Sequence, residues 1–354
     1  MADPVSMQPV GDPHNFGKRV SFCQGYEGPI VVKPRTVFWE HLFLDASSEF
    51  RNLLRNLSDS KTDSYLGSVA VSNEPPYLEG HAAAFTQITS TAAELSEKNL
   101  NSFGRLISFA SVYGLTDLHL ENLVMTATGV QLLDVECVFA LVESPLDSLL
   151  VPSRALNSSR SIFSEVLKAP PVELMETLIM GLFSEFNFLR SNRDKMLEFH
   201  SAKSDLYSQI PIRFLIRPSK EYVSSSDMNV RFPILRSEAE QIARGDIPYF
   251  FGFMGQNKIN YFNASNTFID VQEEFASYTL NKLSRSFRNP QELLQPDRML
   301  RLQKQSIMVT LSKLLDKRSD FSYRGGMFEC AAKSGTLNFK CDEFELAAKL
   351  PESL

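Results

Sequence analysis

The run Gly114-Leu-Thr-Asp117-Leu-His119-Leu-Glu-Asn122, continued by Leu132-Leu-Asp134-Val-Glu136, constrains this chain more than any other segment. It sets Asp117 and Asn122 five residues apart and returns to a third polar position at Asp134. Between them, Leu123-Val-Met125 and Val130-Gln-Leu-Leu133 are apolar runs separated by Thr-Gly. Two such runs around a turn dipeptide predict a hairpin, which returns the chain to where it began. Asp117, Asn122 and Asp134 are therefore expected to converge on one place.

That convergence suits one chemistry. A hydroxyl attacking the terminal phosphate of ATP needs a carboxylate to orient it and accept its proton, and the phosphate charge needs Mg²⁺ held by hard oxygen ligands. Protein-kinase catalytic loops place a base-like Asp and a metal-binding Asn five residues apart, with a second metal-binding Asp downstream. Asp117 fits the first role, Asn122 and Asp134 the second. Any one of them alone reads better as a strand end or a helix cap; their joint order and spacing favour a phosphoryl-transfer centre. Upstream, Ile30-Val-Val-Lys33 is an apolar strand ending in a cation, and Lys33 suits the nucleotide phosphates as a point charge. A lysine at a strand end is more often merely solvated. The turn Gly11-Asp12-Pro-His14-Asn15-Phe-Gly17 precedes the strand Val20-Ser-Phe-Cys23 and contains no G-x-G-x-x-G. It occupies the place of a phosphate-covering loop and reads as its replacement.

At these residues the chain resembles the dehydratase domain of class II lanthipeptide synthetases, the LanM-type enzymes, whose fold is a diverged lipid-kinase-like one. Asp12, His14, Asn15 and Gly17 match the family's Asp-x-His-Asn-x-Gly motif, and Lys33-Pro34-Arg35-Thr36 is similar to its Lys-Pro-Arg-Ser. Thr116 through Asn122 match Thr-Asp-x-His-x-x-Asn, and Asp134 and Glu136 match Asp-x-Glu. Arg213-Phe-Leu-Ile-Arg217-Pro-Ser219-Lys-Glu-Tyr222 is similar to Arg-x-x-x-Arg-x-Thr-x-x-Tyr, with Ser in place of Thr, and Gly245-Asp-Ile-Pro-Tyr-Phe250 matches a further segment. The resemblance covers residues 12–250, with six motifs in the family's order. Two features depart from it. Family members carry a long helical region ahead of the first motif, where this sequence has eleven residues before Asp12. A full LanM enzyme also carries a C-terminal cyclase with a Cys and His zinc site, whereas the four cysteines here, Cys23, Cys137, Cys330 and Cys341, include no close metal-ligand pair. The expectation is a shortened, standalone dehydratase without ring closure.

The resemblance implies an α+β, diverged kinase-like two-lobed fold with additional helices. It further implies phosphorylation of Ser or Thr in a ribosomally made precursor peptide, followed by elimination of the phosphate to leave dehydroalanine or dehydrobutyrine. Lys33, Asp117, His119, Asn122 and Asp134 would serve the first step with ATP and Mg²⁺, and Glu136 would join Asn122 and Asp134 at the metal. Arg213 and Ser219 would serve the second, since elimination needs a cation for the departing phosphate and Arg grips phosphate through a fork of donors. Asp12 and His14 would serve either. Without the resemblance, Arg213 and Arg217 read as the charged outer face of a strand. A separate cyclase or tailoring enzyme is a further expected partner. Two rival readings are a Ser/Thr kinase that stops at phosphorylation, which the Ser219 change permits, and a non-catalytic protein that holds the precursor peptide.

Composition fits an enzyme. The chain has 354 residues, enough for a sizeable core, and its 36 basic and 42 acidic residues give a net charge of −6, which argues against general nucleic-acid binding. Irregular cysteine spacing and no charged-then-apolar leader point to a reducing cytoplasm, and no uncharged apolar stretch is long enough to span a bilayer. Residues 1–75 are expected to form the N-terminal lobe and 76–354 the C-terminal lobe, with a helical C-terminal region. Residues 20–33 read as strands, and 37–57 as one helix on which Glu40 or Glu49 would pair with Lys33 or face solvent. Residues 58–79 read as a linker, 81–113 as a helical stretch, 172–199 as one or two amphipathic helices and 210–216 as a strand. Residues 273–317 read as helical, broken at Asn289-Pro290.

Overall fold

The computed structural model describes residues 7–25, 28–58, 63–66, 71, 83–86, 96–126, 129–152, 172–217, 219–223, 235–256, 258–271, 288–314, 322–324, 329–333, 336–341 and 343–349. It mixes helix and sheet, an α+β architecture. An N-terminal antiparallel sheet runs in the order β1 (Met7–His14), β2 (Lys18–Gly25), β3 (Gly28–Lys33) and β4 (Ala83–Thr86). Strand β3 stops at Lys33 because Pro34, with no N–H to donate, cannot continue the ladder. The register of β1 on β2 shifts between Val10 and His14, ahead of a tight turn in which Asn15, Phe16 and Gly17 all have positive φ.

The single helix expected over 37–57 is two, α1 (Phe38–Leu44) and α2 (Glu49–Leu57). The break is chemical. The Asp45 carboxylate takes the Ser47 N–H, the Ser47 hydroxyl and the Val71 N–H, so it competes for the chain locally. Ser48 then caps α2 by accepting the Arg51 N–H. Within the 58–79 segment, read as a linker, the described residues include one short helix, α3 (Asp63–Leu66); the rest lies largely outside them. The helical reading of 81–113 is also corrected. It starts with β4 paired to β3, and the helix itself, α4 (Glu97–Tyr113), begins at the Ser96 cap.

Helix α4 packs against α5 (Val172–Ser191), and glycines let the two backbones meet. A Cβ on Gly104 would stand 2.0 Å from the Leu178 carbonyl oxygen, and one on Gly181 would stand 2.2 Å from that of Asn101. The Ser108 hydroxyl donates to the Leu182 carbonyl at 2.8 Å across the same seam. Gly104→Ala must push rigid backbone aside, so a stability loss toward the upper end of about 1–3 kcal/mol is expected. A urea midpoint equal to wild type would refute this packing.

Among the described residues the remaining α-helices are α6 (Arg193–Ser201), α7 (Ser204–Tyr207), α8 (Ser219–Val223), α9 (Arg236–Ala243), α10 (Pro290–Leu293) and α11 (Pro296–Leu314). Of the helical reading of 273–317, residues 273–287 and 315–317 lie outside the described residues; the break at Asn289-Pro290 is the cap of α10, where Asn289 accepts the Glu292 N–H. Among the described residues no helix is long and apolar enough to cross a membrane. A second sheet has the order β10 (Phe268–Asp270), β9 (Asn260–Phe262), β8 (Phe250–Gly252), β7 (Ile212–Phe214), and the hairpin β5 (Leu123–Thr126) with β6 (Gly129–Leu132) forms as its apolar runs predict. The C-terminal region, expected to be helical, ends in a four-stranded meander, β11 (Ser322–Arg324), β12 (Glu329–Lys333), β13 (Thr336–Cys341) and β14 (Phe344–Lys349). Its period is two: Leu337, Phe339 and Cys341 are buried while Asn338 and Lys340 are exposed, and Phe339 and Phe344 pack on Phe183 of α5.

The centre of the helical layer is aromatic, and His200 is enclosed in it between the hydroxyls of Tyr207 at 3.0 Å and Tyr113 at 3.3 Å. Burial pushes its pKa down to about 3. The folded state therefore keeps His200 neutral, while the unfolded chain protonates it near 6.5. As pH falls below 6.5 the unfolded state takes up a proton that the folded state refuses, so stability falls. At pH 5 the expected loss is about 2 kcal/mol relative to pH 7, and His200→Gln removes this part of the slope. Equal slopes for variant and wild type in urea titrations between pH 7 and 5 would contradict the assignment.

Candidate functional site

Helix α4 ends at Gly114, whose left-handed conformation (φ +61°) closes the helix and whose absent side chain leaves room for the Ala140 backbone. The chain then runs beside residues 137–140: the Thr116 N–H donates to the Cys137 carbonyl, the Phe139 N–H to that of Tyr113 and the Ala140 N–H to that of Gly114. Asp117 is itself left-handed at φ +61°, a strained state for a non-glycine residue costing on the order of 1–3 kcal/mol. It is held there by its surroundings. The Asn122 amide nitrogen donates to the Asp117 carbonyl at 2.8 Å, and the Leu118 N–H donates to that of Ser148. His119 Nδ1 accepts the Glu121 N–H at 3.3 Å, leaving Nε2 toward the Asp117 carboxylate at 3.7 Å. The hairpin β5–β6 is pinned to α4 where the Val130 N–H donates to the Ser102 hydroxyl.

Asp134 and Glu136 leave β6 into a chain of alternating charges. Lys33 Nζ lies 2.9 Å from Glu40 and 2.9 Å from Asp134. Arg35 reaches Glu40 at 2.6 Å, Asp134 at 2.7 Å and Glu136 at 2.8 Å. Arg213 closes the series on the other oxygen of Glu136. Burial by itself would raise the pKa of Asp134, but Lys33 and Arg35 outweigh it and hold the carboxyl well below its usual range. Glu136 is likewise lowered, its burial outweighed by Arg213 and Arg35. Both are carboxylates at any physiological pH. The lysine's partner on the first helix pair is thus Glu40 rather than Glu49, which faces outward and meets Lys203.

The turn over this site is fastened from a distance. Asp246 accepts the N–H groups of Phe16 at 2.8 Å and Gly17 at 2.7 Å, and the Ile247 N–H donates to the Pro13 carbonyl at 2.7 Å. His14 Nδ1 sits 2.7 Å from the Ile247 carbonyl. A carbonyl can only accept, so Nδ1 carries the proton and Nε2 keeps its lone pair. Burial, with Arg213 adding to it, lowers the His14 pKa and keeps the ring neutral. Arg213 lies on β7, where its N–H donates to the Glu136 carbonyl, and its guanidinium stands 5.1 Å from the centre of the Tyr249 ring. Arg217, four residues on, is instead bound to the buried Glu238 at 2.8 Å and supports the fold.

These elements enclose a cavity of about 260 Å³. Asp12, His14, Asp117, His119, Asn122, Asp134, Glu136, Arg213 and Ser219, all singled out in the sequence, line it; Lys33, only 3 % exposed, lies behind Asp134. Arg35 and Tyr249, which stand within quoted motifs but were given no role, line it too. Arg35 was legible in principle, because positions 33 and 35 of an extended segment share a face. Tyr249 lies in the Gly245 to Phe250 segment of the resemblance, but its residue type gave no chemical signal of its own. Among the described residues no group of three or more His, Cys, Asp or Glu is arranged to hold a metal. The donors suited to a hard cation are the Asn122 carbonyl, set by the commitment of its amide nitrogen to Asp117, and the Asp134 carboxylate, whereas both oxygens of Glu136, the third expected ligand, meet Arg35 and Arg213.

Residues 5–167 match the family model of a domain of unknown function, DUF4135. The match takes in the turn at Asp12, Lys33, the Asp117 loop and Asp134, and stops before Arg213. No curated protein matches the chain.

Proposed function

We propose that this protein is a LanM-like dehydratase that phosphorylates Ser or Thr of a ribosomally made precursor peptide with ATP and then eliminates the phosphate, within a diverged kinase-like two-lobed fold. The observation that carries the reading is that Asp134, held from behind by an ion cluster of phosphoryl-transfer type with Lys33 and Glu40, lines one cavity together with the guanidinium of Arg213.

In the first half-reaction Asp117 orients the peptide hydroxyl and accepts its proton, while the new O–P bond forms and the bond to ADP breaks. Asn122 and Asp134 are oxygen donors that fit Mg²⁺, which supplies charge neutralisation on the phosphates and prefers few protein ligands. In the second half-reaction a base removes the Cα proton, Cα=Cβ forms and the Cβ–O bond breaks. His14 suits that base: it is neutral, and its Nδ1–H is committed to Ile247, leaving a lone pair on Nε2. Arg213 takes up charge on the departing phosphate, and Ser219 lines the same cavity.

The test is to incubate the protein with ATP, Mg²⁺ and a candidate precursor peptide encoded beside its gene, and to weigh the peptide. Loss of water supports the dehydratase. Gain of phosphate alone replaces it with a peptide kinase, and an unchanged mass with bound peptide replaces it with a binding protein.

A further inference from the structure

Arg35 bridges the two halves of the cavity. Through one planar group it contacts Glu40 and Asp134, on the side of Lys33, and Glu136, on the side of Arg213. Its side chain is 18 % exposed and lines the cavity, whereas the side chain of Lys33, behind Asp134, is only 4 % exposed. Of these two cations, Arg35 is the one an entering phosphate meets. Pro34 restricts the backbone on which it stands, and the Arg35 guanidinium also donates to the Thr36 carbonyl at 2.8 Å. A fork of five N–H donors exchanges carboxylate oxygens for phosphate oxygens without moving its stem, because both present paired acceptors at similar spacing.

We propose that Arg35 is a catalytic residue shared by both half-reactions: it grips the phosphoryl group while the group passes to the peptide beside Asp134, and again, with Arg213, while it departs beside Glu136. The assignment rests on the dehydratase reading and adds to it a residue common to both steps. In the second step the Cα–H electron pair becomes the Cα=Cβ bond, the proton goes to the base, and the phosphate leaves with the electron pair of the broken Cβ–O bond. The charge it carries away lies between the two guanidiniums. One guanidinium spanning both carboxylates means that the phosphoryl group need not leave the cavity between the steps.

Arg35→Lys keeps a positive charge but loses the fork. The variant is assayed with the unmodified precursor peptide, ATP and Mg²⁺, and separately with the same peptide synthesised with phosphoserine, in the presence of Mg²⁺ and ADP. Binding of inorganic phosphate to the Mg²⁺ and ADP mixture of each protein is measured by calorimetry. The expected result is that both reactions slow by about 10²-fold and phosphate binds about tenfold more weakly, with an unchanged thermal midpoint. If Arg35→Lys does not fold, Arg35→Gln, planar and still a donor, is put through the same assays. Loss of phosphorylation alone assigns Arg35 to the nucleotide half and overturns the proposal. Unchanged phosphate affinity overturns it too, since Arg35 would then only orient the carboxylates. Wild-type protein that phosphorylates the peptide but leaves the phosphoserine peptide intact sinks the dehydratase reading itself, and the shared role with it.

Discussion

Asp117→Asn is expected to stop modification at its first step, lowering the rate of phosphate incorporation by about 10²–10⁴-fold while the protein stays folded. The side chains are nearly isosteric, and the Asp117 backbone carbonyl that accepts from Asn122 at 2.8 Å is unaltered. Asn also tolerates the left-handed conformation seen at Asp117, so the loop loses nothing in backbone energy. What is removed is a carboxylate able to take the hydroxyl proton. Single-turnover mass spectrometry beside a thermal melt separates chemistry from folding, and near-wild-type turnover would remove Asp117 from the mechanism. Asp134→Ala is expected to be equally inactive for a different reason: it strips a carboxylate from Lys33 and Arg35 and leaves the phosphate charge without a held cation. Substantial dehydrated product from Asp134→Ala would count against the whole assignment.

Arg213→Ala is expected to divide the mechanism, with phosphorylation kept and elimination slowed by about 10²–10³-fold, so that a peptide heavier by one phosphate accumulates. The kinase half survives because Lys33, Glu40 and Asp134 do not depend on Arg213 for their pairing. Glu136 keeps Arg35 at 2.8 Å, and the backbone N–H of residue 213 still donates to the Glu136 carbonyl. The leaving phosphate, however, loses one of its two guanidiniums. Ser219→Ala is expected to show the same stall more weakly if its hydroxyl assists departure. Should Arg213→Ala abolish phosphorylation as well, Arg213 belongs to the nucleotide site or to the scaffold.

Much of the site was legible because it is local. The hairpin β5–β6 is written in two apolar runs and a turn, and a hairpin brings Asp134 back toward Asn122 with little dependence on the rest of the chain. The break between α1 and α2 was less legible, because the hydrophobic spacing runs through it. It turns on Asp45 binding the N–H of Val71, a contact that periodicity does not encode. The C-terminal meander was missed although Leu337, Phe339 and Cys341 alternate with polar residues, a period-two signal present in the sequence itself.

The sequence by itself determined the order of the polar residues, the positions of Lys33 and Asp134 at the ends of apolar strand segments, and the hairpin between Asn122 and Asp134, because these follow from neighbours along the chain. Only the tertiary structure decided that Glu40 and not Glu49 meets Lys33, that Arg35 spans Asp134 and Glu136, and that Asp246 fastens the turn at Phe16 and Gly17. The physical reason is separation: Arg35 and Asp134 are 99 positions apart and Phe16 and Asp246 are 230 apart, so their partners are chosen by how sheets and helices pack and by which charges burial forces to pair.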